Sequence, residues 1–132
     1  MSNQDSSLQL PSTLSINSLM IGTQQPQILA DFYAKVFARP ADMIEDNEWY
    51  MWQVGTFSLS IGSHSEVKGQ AKEPSRMILN LETKTVQEEF DRLKDMSATI
   101  IKEPYEMGGA WIATLADPDG NYIQLMTPWE AE

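Results

Sequence analysis

The chain contains no cysteine, which excludes disulfide staples and thiolate metal centres and fits a reducing, cytoplasmic setting. Basic charge is scarce: nine Lys plus Arg stand against nineteen Asp plus Glu, a formal net charge of −10. A nucleic-acid partner is therefore not expected, because phosphate recognition leans on clustered cations. No run of about 18 apolar residues occurs, so no membrane span is expected. The opening MSNQDSSLQLPSTLS has neither a positive region nor an apolar block. Residues 1–14 are expected to be a flexible polar tail and not a secretory signal. Histidine is equally rare: His64 stands alone in GSHSEVKG, past the end of a strand, where an ordinary loop role accounts for it.

What is present is enough for a packed interior, with hydrophobic residues at 42% of a 132-residue chain. SINSLMIGT alternates, with Leu19 and Ile21 on one face and Ser18 and Met20 on the other, the mark of a half-buried strand. PQILADFYAKVFARP predicts a helix that opens on Pro26, carries Ile28, Leu29, Phe32, Tyr33, Val36 and Phe37 as its apolar stripe, and stops at Pro40. ADMIED, EWYMWQV and TFSLSIG read as three short strands. The order then repeats. RMILNLE is a strand, TVQEEFDRLKDM a helix with Thr85 and Glu88 at capping-box spacing, and ATIIKEP, AWIATLA and NYIQLMT are strands. The two helices begin roughly 60 residues apart, which suggests two copies of one strand-helix-strand-strand-strand unit. Boundaries of 15–70 and 71–132 divide the copies within one compact domain.

The hairpin ADPDGNYIQLM has a physical account of its own. Asp117 caps amides ahead of it, Pro118 presets φ, and Gly120 takes a positive φ. As turn chemistry this stretch needs no active site.

The doubled βαβββ order, the FY dipeptide inside ADFYAKVF and the strand-DPDGN-strand hairpin together resemble the vicinal oxygen chelate superfamily, which holds glyoxalases, extradiol dioxygenases and bleomycin-resistance proteins. The resemblance covers about residues 15–128. It implies an α+β fold in which two βαβββ modules form a curled mixed sheet around a cavity, with helices on the outer face. Alternation then turns Ser18, Met20, Ser58, Ser60, Arg76, Ile78, Asn80, Glu82, Tyr122, Gln124 and Met126 towards the cavity.

In metal-dependent members the ligands are histidine or glutamine, glutamate, histidine and glutamate. The matching positions here are Ser18, Ser60, Ile78 (Arg76 or Asn80 on a slipped register) and Gln124. Hydroxyls, an apolar side chain and an amide make a poor cage for a divalent ion. The expected cofactor is accordingly none, with a divalent metal held weakly through Gln124 and Glu82 as the alternative.

The expected ligand-binding set is Ser18, Trp49, Trp52, Ser60, Arg76, Asn80, Trp111, Tyr122 and Gln124, with Met20, Met51, Met107 and Met126 as an adaptable lining. EWYMWQV places aromatics on both faces of one strand, Trp49 on one side and Tyr50 and Trp52 on the other, so core packing competes with a pocket role. Gly108 and Gly109 read as a bulge or a flap.

Three functions stay open at this stage. One is a metal-independent protein that binds an aromatic or amphipathic molecule. Another is a divergent lyase, isomerase or dioxygenase-like enzyme with Glu82 as its candidate catalytic carboxylate. The third is an interaction module with a vestigial cavity. The expected partners are a small organic molecule and a second copy of the chain, since relatives of this size pair and share their cavities.

Overall fold

The structure, a computed structural model, describes residues 12–128. Most of the expected tail therefore lies outside the described residues. The first module comprises β1 (Ser18–Thr23), α1 (Pro26–Phe37), β2 (Met43–Glu45), β3 (Trp49–Val54) and β4 (Phe57–Ser63). The second comprises β5 (Leu79–Glu82), α2 (Val86–Asp95), β6 (Thr99–Met107), β7 (Ala110–Ala116) and β8 (Tyr122–Met126). Each module forms a four-stranded sheet in the same order, β1-β4-β3-β2 and β5-β8-β7-β6. In each, the first and last strands run parallel and the other pairs run antiparallel. The α+β class and the repeated βαβββ order expected from the sequence are thus observed. The sheets stay separate and do not close into a barrel.

One hydrophobic core serves both modules. Leu29, Tyr33 and Val36 of α1 and Val86, Phe90 and Leu93 of α2 join Leu59, Ile61, Leu115, Ile123 and Leu125 from the two sheets. Leu59, Ile61, Ile123 and Leu125 are the apolar half of their alternating strands, and period-two alternation explains their selection. On α1 the buried stripe is narrower than expected, for Ile28 is 53% exposed. The helix also ends at Phe37, before Pro40 is reached. Ala38 turns left-handed at φ 57°, and the Ala38 and Arg39 amides return to the Lys35 and Ala34 carbonyls.

Local chemistry departs from expectation at three other places. Thr85 does sit at the start of α2, but its hydroxyl makes no capping bond and lies 3.2 Å from Thr83 Oγ1 instead. The strand expected from Arg76 begins only at Leu79. Arg76 belongs to a turn, with its amide on the Glu73 carbonyl and its guanidinium 2.6 Å from Glu73 Oε1. Gly108 and Gly109 form the two-residue turn between β6 and β7, with φ of 60° and 87°, a backbone only glycine adopts freely. The irregularities in this hairpin occur earlier, between Ile100 and Tyr105, the stretch that carries Pro104.

Candidate ligand-binding site

Strand register sorts the candidate residues by face. Parallel pairing sets Ser18 opposite Ser58 and Met20 opposite Ser60. Antiparallel pairing adds Trp49 opposite Gly62, Met51 opposite Ser60 and Gln53 opposite Ser58. Directly paired residues share a face. The side of the first sheet turned from the helices therefore carries Ser18, Met20, Trp49, Met51, Ser58 and Ser60. The Trp49 ring closely approaches the Gly62 backbone: a Cβ built on Gly62 would come within 2.3 Å of two ring carbons and 3.2 Å of Met20 Cε. Glycine at 62 is what leaves room for the indole beside Met20.

The same logic gives the matching face of the second sheet. Asn80 pairs with Gln124 and Glu82 with Met126 across β5 and β8. Thr114 pairs with Gln124, Ile112 with Met126 and Ala116 with Tyr122 across β8 and β7. Lys102 and Tyr105 extend this face through their pairs Thr114 and Ile112, the Lys102 ammonium standing 5.0 Å from the Tyr105 ring centre. Sequence reasoning missed Lys102 and Tyr105, because the bulges of β6 break its alternation, and Thr114, because AWIATLA is largely apolar on both faces.

Three expected pocket residues are elsewhere. Trp52 shares its face with Leu59, is 1% exposed, packs 5.9 Å from the Phe37 ring centre and donates from Nε1 to the Arg39 carbonyl. It is a core residue beneath α1. Trp111 falls on the helix side of β7, beside Thr85, Val86 and Glu88 at the start of α2, and is 45% exposed. Arg76 is held in its turn by Glu73. Ile78 precedes β5 altogether, so Asn80 is the residue opposite Gln124.

The donor set at these strand positions can be tested against the divalent metal that the resemblance implies. Register sets Met20, and not the expected Ser18, opposite Ser60, so Met20 and Ser60 on one sheet, and Asn80 and Gln124 on the other, offer a thioether, a hydroxyl and two neutral amides. Zinc, nickel, iron and manganese call for imidazole or carboxylate, whose stronger donation offsets lost hydration. The residues present do not fit such an ion. Among the described residues no group of three His, Cys, Asp or Glu side chains comes together.

A buried polar network joins the modules. Tyr33 Oη on α1 donates to Asp117 Oδ2 at 2.8 Å, and Gln25 Nε2 donates to Asp119 Oδ1 at 2.6 Å. Asp117 Oδ1 accepts from the Asp119 and Asn121 amides, both at 2.9 Å, which is the expected cap of the DPDG turn. Gly120 takes φ 85° there. Burial pushes the Asp117 carboxyl above its ordinary value, against the pull of hydrogen bonds from Asn121 and Tyr33. Burial, followed by the Asp117 charge, holds the Tyr33 phenol well above its ordinary value. Arg92 of α2 makes a further tie, donating to the Lys35 and Val36 carbonyls at the end of α1 while paired with Glu89.

Tandem βαβββ modules closed by this hairpin define the vicinal oxygen chelate class. A model of the glyoxalase-like domain matches residues 18–126, and the chain belongs to that family. Solved structures agree on the fold. A glyoxalase-related enzyme from Fulvimarina pelagi is 16% identical, with a TM-score of 0.71 over 86% of this chain and 88% of its own. A glyoxalase/bleomycin resistance protein/dioxygenase family enzyme from Burkholderia phytofirmans PsJN is 22% identical, with a TM-score of 0.69 over 84% and 96%. Lactoylglutathione lyase from Agrobacterium tumefaciens is 15% identical, with a TM-score of 0.67 over 92% and 100%. Comparison with curated proteins gives no match. Among the described residues no helix is long and apolar enough to cross a membrane.

Proposed function

We propose that this chain is a metal-independent binding protein for a small organic molecule with an aromatic or amphipathic body. The observation that carries the reading is the composition of the two faces: Trp49 lies beside Met20 near Ser60, while Asn80 and Gln124 pair on the second sheet. Indole and thioether surfaces hold a flat apolar body, and amides and hydroxyls orient its polar edge. Lewis-acid chemistry needs donors that these positions lack.

The site also needs a second wall. Both sheets turn their helix sides to one shared core, so the faces just described point away from it. β1 and β5 each end a sheet with an outer edge unpaired among the described residues. A second copy of the chain, added at those edges, supplies the wall and removes the exposed edges. The absence of cysteine fits a cytoplasmic home for this dimer.

Glu82 favours one alternative, an enzyme. It lies two residues from Asn80 on β5 and opposite Met126, a position from which a carboxylate could move a proton. Titration of tryptophan emission with a panel of aromatic compounds, with and without chelator, tests the preferred reading. Quenching that survives chelation and is lost in Trp49→Ala supports it. Turnover abolished by Glu82→Gln, or quenching that requires added metal, replaces it with the enzyme.

A further inference from the structure

We infer that the chain carries a second binding site, where its core opens around the edge strand β5, that takes a cationic amphiphile: an apolar tail with one positively charged head. A cavity of about 1050 Å3 lies between the end of α1, the β3–β4 hairpin, α2 and β5. Its wall is built mainly from Phe37, Phe57, Leu79, Leu81, Leu93 and Leu125. Asn80, Glu82 and Met126 of its rim also belong to the second-sheet face described above, whereas β1, Trp49, Ser60 and Gln124 do not line it, so substitutions at Trp49 separate the two sites.

The fold explains why the space is left. Ala38 ends α1 in a left-handed turn, and the helix covers no more of the sheet beyond Phe37. Across the gap β5 supplies only four residues. Phe37, Phe57, Leu79 and Leu81 are consequently half-buried, whereas Leu29, Tyr33 and Phe90 deeper in the same core are fully covered. The volume is that of a site for a small molecule, and apolar walls with a few polar groups at the rim are its usual chemistry.

Charge selects the head group. Arg92 borders the cavity, but Glu89 and the Lys35 and Val36 carbonyls occupy its donors, so it offers little to an anion. Glu82 also lines the cavity and has no ion-pair partner among the described residues. Asn80 and Thr83 flank it with further acceptors. A chain of net charge −10 reinforces the preference for a cation over an anion.

Calorimetric titration of the full chain with decyltrimethylammonium, and with decanoate as its anionic counterpart, tests the site below the aggregation threshold of either. The cation is expected to bind and decanoate to bind several-fold more weakly. Glu82→Gln should weaken the cation by about threefold, the scale of a partly exposed ion pair. Leu79→Trp fills the cavity and should abolish binding. Val54→Trp, at the exposed hairpin rim, does the same with less risk to the fold, and Trp49→Ala should leave the affinity unchanged. Equal affinity for decanoate, binding lost in Trp49→Ala, or binding intact in a folded Val54→Trp overturns the inference. So does failure of the cation to bind, including the case in which a second copy of the chain covers the cavity.

Discussion

The Tyr33 hydroxyl reaches across the module boundary to Asp117 Oδ2 at 2.8 Å, joining the FY helix of the first module to the DPDG turn of the second. The two motifs that most marked the sequence are thus hydrogen-bonded to one another. Their common role is to hold the modules in register. Asp117 caps its own turn with one oxygen and anchors α1 with the other.

Removing the phenol should show this directly. Tyr33→Phe leaves Asp117 buried with one donor fewer and should cost about 1.5–3 kcal/mol, the range for a hydrogen bond to a charged group. In a double-mutant cycle with Asp117→Asn, urea unfolding should give a coupling energy of about 1 kcal/mol or more. Strict additivity would mean that the contact carries no stability.

The same phenol predicts an alkaline limit. Its folded pKa is raised well above the ordinary 10.0, chiefly by burial. The stability it contributes is therefore fully present below about pH 10, where the unfolded tyrosine ionises, and is lost as pH rises through the folded value. Unfolding free energies measured from pH 8 to 11 should fall more steeply for the native chain than for Tyr33→Phe. Parallel profiles would contradict the assignment.

Gly62 should tolerate no side chain. Gly62→Ala drives a methyl into the Trp49 ring and should lift the indole from the sheet, at a cost of about 1–3 kcal/mol. A red-shifted tryptophan emission with a lowered urea midpoint is the expected pair of signals. An unchanged spectrum would mean that the ring does not rest there.

The tryptophans should separate by role. Trp52→Ala removes a fully buried indole and should cost about 3–5 kcal/mol. Trp111→Ala, at an exposed position, should stay within about 0.5 kcal/mol. Equal losses in chemical denaturation would refute this division between core and surface.

Legibility followed alternation. Leu19 and Ile21 against Ser18 and Met20, and Ile123 and Leu125 against Gln124, declare their faces because apolar and polar residues strictly alternate. WYMWQV is aromatic or apolar on both sides, so its sequence does not say which indole is buried. Register with Gly62 and Leu59 decides that Trp49 lies on the open face and Trp52 in the core. AWIATLA has the same ambiguity, which is why Trp111 was expected in a pocket. The early end of α1 at Ala38 has no glycine to announce it, and Pro40 marked only the outer limit. The Tyr33–Asp117 bond spans 84 positions and belongs to tertiary structure alone. The DPDG turn was readable because its chemistry is local.

By their chemistry, the strand positions Met20, Ser60, Asn80 and Gln124 do not form a transition-metal site. Equilibrium dialysis of the purified chain against zinc, nickel and manganese, followed by elemental analysis, tests this most directly. No stoichiometric retention of any of the three is expected, and no difference between the native chain and Gln124→Ala. One ion retained per chain, and released by Gln124→Ala, would contradict it.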